Sequence, residues 1–242
     1  MKPTLILIGA DKGGVGKTTV ARTMLNYFAD TNVLARAFDT EFPRGTLQRF
    51  HPETTEVVDI TQTPDQMRVL DTLTTSQVKV TVMDTRAGAL GTTLAALRDV
   101  GFLDAVKAGE FNFMLFHVLG PSIASLAEIA ETAPFVADAN YFLVKNYVNE
   151  STFFDWDPAT SQAYFGKVKS SGEVTIPKLN AMAYEQVELA GTPFSTFIAN
   201  KTASGGQAQH SFTLRGYVRT WQGKNAEEFN RIRLLDLISG RG

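Results

Sequence analysis

The 242-residue chain contains no cysteine. It has no disulfide and no thiolate site, and that usage fits a reducing compartment. It also lacks a dominant charge: 23 Lys and Arg stand against 25 Asp and Glu, a net charge of −2. A chain so balanced is not a polycation that binds nucleic acid everywhere on its surface. Long hydrophobic runs are missing too, and none approaches the length of an uninterrupted membrane span. The first apolar stretch is too short for a signal peptide and feeds directly into a glycine-rich turn. These features predict a cytoplasmic protein. The histidines, His51, His117 and His210, have no metal-ligand spacing with one another or with a suitable acid. His117 lies in an apolar run and reads as a core residue. No repeat, linker or low-complexity segment is visible.

What the chain does have is 44% hydrophobic residues, enough for a substantial core. Apolar runs alternate with helical patterns along its length. Candidate strands cover 4–9, 33–38, 78–83, 111–118, 140–145 and 172–176. Candidate helices cover 17–29, 64–73, 92–106, 122–135, 180–190 and 225–238. Strand–helix alternation with continuously apolar strands predicts an α/β fold. It would be a single domain, 1–242, with a mostly parallel twisted sheet and helices on both faces. The stretch 147–171, with Phe153, Phe154, Trp156 and Phe165, carries no clear pattern. The polar, glycine-bearing stretch 199–213 reads as a loop.

The sharpest local signal is Lys12-Gly13-Gly14-Val15-Gly16-Lys17-Thr18-Thr19, directly after the apolar run 4–9. Glycines let a backbone turn tightly and approach a ligand closely. Successive N–H groups then form a concavity for an anion, and the helix that follows adds its own unpaired N–H groups and dipole. Lys17 is placed to reach the β- and γ-phosphates of a nucleotide, and the Thr18 hydroxyl to ligate Mg²⁺. The general phosphate-loop pattern, G-x-x-x-x-G-K-[ST], would put its first glycine at position 11, which is Asp11. The loop carries a second lysine instead, Lys12. With Lys17 already serving the loop's own phosphates, Lys12 is better placed to reach a nucleotide held by another subunit.

In phosphate-binding α/β sheets the ligand sits at the carboxyl ends of the strands, so acids just beyond strands are candidates. Asp39 and Glu41 leave the end of the second strand. Asp84 ends the apolar run 78–83, where a carboxylate can hold magnesium. Gly88 gives the next loop freedom, and Arg86 beside it can sense phosphate, contact a partner or stand exposed.

Together these residues resemble the ParA/MinD-type P-loop ATPases with their deviant Walker A motif. The resemblance rests on Lys12–Thr19, Asp39-Thr40-Glu41, Asp84-Thr85 and Ile176-Pro177 followed by Ala190-Gly191-Thr192-Pro193. It implies ATP and Mg²⁺ as cofactors and a homodimer formed on ATP binding, in which Lys12 touches the partner's nucleotide. It implies that Asp39 lies in the magnesium shell with Thr18 and Asp84, and that Glu41 positions the attacking water. Gly13, Gly14, Val15, Gly16, Lys17, Thr18 and Thr19 would line the phosphates. Asn146 would stand against adenine, and the backbone at Pro177 would pass the base. Asn200-Lys201-Thr202-Ala203 lacks the final acid of a guanine-reading motif. The family's cysteine-held clusters and cysteine-dependent arsenite pumps are excluded.

Three roles follow from the resemblance. The first is a plasmid or DNA partition ATPase that binds DNA non-specifically and is stimulated by an adaptor protein. The second is a protein-binding accessory in plasmid stabilisation or conjugal transfer, without DNA binding. The third is a membrane-cycling regulator. From Gly205 to Gly242 six Lys and Arg face three Asp and Glu, a local surplus of +3 that hints at DNA. Phe229, Ile232, Leu235 and Ile238 recur at helical spacing and read as a packing helix; the acids Glu227, Glu228 and Asp236 oppose a lipid-seeking tail. Tyr217 and Trp221, four apart on a helix, read as packing before base stacking. Ser122 and Ser125, after Gly120-Pro121, read as helix-start residues. The departures at Asp11, Glu41 and Arg86 predict slow hydrolysis.

Overall fold

Every residue of β1 (Thr4–Gly9) is buried, and its side chains divide by parity. Ile6 and Ile8 join one core, Leu5 and Leu7 another. A strand apolar on both faces belongs inside a sheet covered on both sides. The computed structural model describes residues 2–120, 123–148 and 172–240, with positions 159, 162 and 163. Its seven strands form one sheet in the order β3-β2-β4-β1-β5-β6-β7, and every pair is parallel. The other strands are β2 (Ala35–Asp39), β3 (Thr55–Val57), β4 (Val80–Asp84), β5 (Asn112–Leu119), β6 (Asn140–Asn146) and β7 (Gly172–Ile176).

One face is covered by α1 (Lys17–Asp30), α7 (Ala181–Ala190), α8 (Phe194–Ile198), α9 (Phe212–Arg231) and α10 (Leu234–Ser239). The other carries α3 (Thr63–Thr75), α4 (Leu90–Asp99), α5 (Phe102–Lys107) and α6 (Ile123–Thr132). A short helix, α2 (Thr46–Phe50), follows β2. The register sets Ile8 beside Asp84 and Asp39 beside Asp84, so β1, β2 and β4 end on one rim with the glycine-rich loop above them.

The expected strands are all present, with β3 added at the edge. The expected helix 92–106 is two helices, interrupted where Gly101 takes φ 78°. The expected helix 225–238 begins at Phe212 and stops before Arg233, whose φ of 55° lets α10 start in a new direction. Within 199–213 a bridge pairs Lys201 with Gln207. Phe229, Leu234 and Ile238 are buried in the core, which confirms the packing reading of that segment. Phe153, Phe154, Trp156, Phe165 and Ser122 lie outside the described residues. Ser125 accepts a hydrogen bond from the Gly120 N–H at 3.2 Å. No described helix is long and apolar enough to cross a membrane.

Candidate functional site

The loop between β1 and α1 is shaped by two left-handed glycines, Gly14 at φ 74° and Gly16 at φ 87°. Gly16 begins α1, and no side chain caps the helix there, so the first amides of α1 keep their capacity for an anion. A Cβ at Gly16 would lie 2.2 Å from Asn146 Nδ2. That contact explains the need for glycine beyond its φ: Asn146, at the end of β6, donates to the Val15 carbonyl at 2.9 Å and braces the loop from below. Val15 itself is buried. Lys17 is almost wholly buried, and its Nζ donates to the Lys12 carbonyl at 3.0 Å, spanning its own loop. Burial lowers its pKa, against the raising effect of Asp84 foremost among four acids.

Asp84 stands under this loop, wholly buried at the end of β4. One of its hydrogen bonds is with the Thr18 side chain, while Oδ1 has no partner. Desolvation pushes its pKa up to about 8. An unsatisfied buried carboxylate oxygen costs free energy and calls for an explanation. No group of three or more His, Cys, Asp or Glu among the described residues forms a self-sufficient metal site. The donor set of one carboxylate and one hydroxyl suits Mg²⁺ instead, which usually takes one or two protein ligands and completes its shell with water and substrate phosphates.

Asp39 and Glu41 line the same cavity of about 280 Å³, with Lys17, Thr18 and Asp84. Both make hydrogen bonds within the fold. Asp39 Oδ1 accepts from the Glu41 N–H at 2.9 Å, and Oδ2 accepts from the Leu47 N–H at 2.7 Å and the Gln48 N–H at 3.3 Å. In this arrangement Asp39 anchors the start of α2, and its oxygens are occupied by backbone rather than presented to a metal. Glu41 is exposed and accepts from both the N–H and the hydroxyl of Thr46. Arg86 is exposed, its main-chain N–H bonded to Thr40 Oγ1 at 2.9 Å.

A second cavity of about 260 Å³ adjoins the first, sharing Thr19, Val148 and Tyr184. Asn146, Pro177, Leu179 and Trp221 are also in its wall. The expected pair Asn146 and Pro177 is thus brought together, although the Asn146 amide nitrogen is spent on the loop. Trp221 holds the Pro177 carbonyl through Nε1 at 2.5 Å. Tyr184 and Val148 were not legible as site residues; neither sits in a motif, and Tyr184 reaches the site only because α7 packs beside it.

Asp11 does not face the cradle. Its Oδ1 accepts from the Leu90 N–H at 2.9 Å, at the start of α4, so the acid at the missing glycine position is turned away from where phosphates would lie. Lys12 is exposed beside it.

No family model matches the sequence, and no curated protein does. Solved structures do. The septum site-determining protein MinD of Pyrococcus horikoshii OT3, complexed with Mg-ADP, aligns with a TM-score of 0.56 at 16% identity, over 96% of this chain and 98% of its own. The MinD cell division protein of Aquifex aeolicus aligns with a TM-score of 0.52 at 12% identity, over 91% of this chain and 97% of its own. A chain of the Aquifex aeolicus MinC:MinD complex gives 0.52 at 12% identity, over 91% and 96%. The chain has the α/β fold of the MinD-type P-loop proteins.

Proposed function

We propose that this protein is a magnesium-dependent switch of the ParA/MinD type that binds and hydrolyses ATP and dimerises on the nucleotide. The observation that carries the reading is the unpartnered Asp84 Oδ1 beside Thr18, under a loop whose lysine is buried and whose first helical amides are uncapped. Phosphoryl transfer asks mainly for positioning and charge neutralisation. Loop amides from Gly13 to Thr19 and the Lys17 ammonium receive the β- and γ-oxygens. Thr18 and Asp84 hold Mg²⁺, which supplies further neutralisation of those oxygens. Glu41, released from Thr46, orients the water, while Asp39 keeps α2 and the Glu41 backbone in register. Asn146 and Pro177 border the adenine. Lys12 reaches the nucleotide of a second copy, and a cation supplied across an interface can raise hydrolysis about 10³–10⁵-fold. Hydrolysis by the lone chain is accordingly slow.

The cytoplasmic cargo role divides between DNA partition and a protein-binding accessory with an adaptor. One observation favours the accessory. Of the basic residues near the C-terminus, Arg231 is paired with Glu228 at 2.7 Å and Arg233 with Asp236 at 2.9 Å, and Arg215 donates to the Ile198 carbonyl at 3.2 Å. Three of the cations in this segment are thereby held within the fold, and Arg219 and Lys224 remain for an outside partner.

Calorimetric titration of Mg-ATP tests the reading. Wild type gives a saturable heat, and Lys17→Ala weakens affinity about 10- to 100-fold, the loss of charged hydrogen bonds. Asp84→Asn removes the magnesium dependence. Sedimentation then shows a dimer with a non-hydrolysable ATP analogue and a monomer with ADP. No heat with wild type ends the nucleotide reading; heat without a dimer ends the switch.

A further inference from the structure

Beneath the loop lies a buried polar chain that the nucleotide chemistry does not use. Tyr141 on β6 and His117 on β5 are fully buried, with the Tyr141 hydroxyl 2.8 Å from His117 Nδ1. His117 Nε2 lies 3.3 Å from Glu128 Oε2 on α6. Burial raises the Tyr141 pKa, so the phenol keeps its proton and donates to Nδ1. Nε2 then carries the imidazole proton and donates to the carboxylate, an assignment made from the hydrogen-bond network. The carboxylate in turn accepts the Asp11 N–H at 3.0 Å and the main-chain N–H of Lys12.

Asp11, the residue before Lys12, is therefore held from three sides. The Asp11 N–H goes to Glu128, its carbonyl accepts from the Gly88 N–H at 2.7 Å, and its carboxylate accepts from the Leu90 N–H. The peptide between Asp11 and Lys12 has its carbonyl held by the Gly88 N–H and its N–H by Glu128, so it cannot rotate without breaking both bonds. The Lys12 stem then runs past Gly120, where a Cβ would stand 3.1 Å from Lys12 Cδ. Direction is fixed at the main chain by α6 and along the stem by the end of β5.

We propose that Glu128 is a positioning residue for Lys12. Its carboxylate, oriented by His117, fixes the Asp11 and Lys12 amides and so aims the Lys12 side chain away from its own cradle. The proposal rests on the reading of Lys12 as the cation offered to a second copy. It also explains Asp11: an acid stands there in place of glycine because its side chain ties residue 11 to the start of α4, beside the bond that its carbonyl makes to Gly88.

A double-mutant cycle on the full chain tests it, with Glu128→Gln, Lys12→Ala and the combination. Glu128→Gln keeps the shape but loses the charge that accepts two amides and an imidazole N–H. Turnover at saturating ATP and high protein concentration falls about tenfold while the ATP Kd moves less than about twofold, the pattern of a group that serves the transition state rather than uniform binding. In the Lys12→Ala background Glu128→Gln costs nothing further, because contacting residues couple. Amide exchange at residues 11 and 12 quickens in Glu128→Gln whatever the turnover. An equal loss in both backgrounds, a loss in Kd alone, or unchanged amide exchange overturns the positioning role. Wild-type turnover in Lys12→Ala at every protein concentration overturns the trans reading of Lys12 itself, and the absence of ATP binding by wild type overturns the nucleotide reading before either.

Discussion

Asp84 and His51 are both buried with one polar atom lacking a partner, yet burial moves their titrations to opposite effect. Desolvation, aided by Arg22, lowers the His51 pKa from 6.5 to about 4, so between those values the unfolded chain binds a proton that the native chain refuses. His51 therefore withdraws stability as pH falls from 6.5 toward 4, by about 3 kcal/mol in all. Asp84 keeps its proton in the native state up to about 8, whereas the unfolded chain releases it near 3.8. Its contribution is present at acid pH and is lost as pH rises through that interval. Below 6.5 the two slopes oppose; from 6.5 to 8 Asp84 acts alone and withdraws about 2 kcal/mol from magnesium-free protein. Urea midpoints at pH 5, 6.5 and 8 should show this decline in wild type and its disappearance in Asp84→Asn, with His51→Gln stabilised on the acid side. A wild-type midpoint that rises from pH 6.5 to 8 would contradict the assignment. Asp84 was legible because an acid ending an apolar strand is a local pattern. The use of Asp39 was not, because the amides it accepts belong to residues 47 and 48, on a helix too short to announce itself.

Helices α1, α2, α7 and α8 meet at one guanidinium. Arg22 is 1% exposed and lies between the Phe50 ring, 3.4 Å away, and the Phe194 ring, 4.3 Å away. Glu188 on α7 reaches it at 2.5 Å and also takes the exposed Arg49 at 2.6 Å. Removing one partner of a buried pair leaves the other charge uncompensated and costs about 3–5 kcal/mol, whereas an exposed pair contributes about 0–1 kcal/mol. Glu188→Ala should thus lower unfolding free energy by about 3–5 kcal/mol and Arg49→Ala by less than about 1; equal losses in denaturant titrations would mean that Arg22 finds water. The connection also ties α2, which Asp39 anchors at its start, to the helix that carries Tyr184. None of it could be read from the sequence, since Arg22 and Glu188 are 166 positions apart. The β1–loop–α1 unit was legible because strand, glycines and Lys-Thr-Thr are contiguous. β3 escaped because three residues show no period; α9 was read in two pieces, around Tyr217 and Trp221 and from 225 onward, because Gly216 and Gly223 punctuate it and its packing rests on the sparse anchors Val218 and Trp221.

At the scale of the whole molecule, a net charge of −2 and the pairing of two C-terminal cations bear on what the proposed switch could carry. Salt dependence converts that distribution into a measurement, since log K for duplex DNA falls with log salt at a slope of about 0.9 for each phosphate neutralised. On α9, Arg219 and Lys224 stand outside the ion pairs and hydrogen bonds that engage Arg215 and Arg231. A DNA complex made through this helix would therefore show a slope of about 2 or less per protomer. Binding that weak would be lost by physiological salt, which suits an accessory that engages an adaptor protein. Filter binding or anisotropy between low and physiological salt, with the non-hydrolysable ATP analogue present, should give that shallow slope, unchanged by Arg231→Ala. A slope several times larger would mean that dimerisation assembles a basic face from both copies, and the partition role would then displace the accessory one.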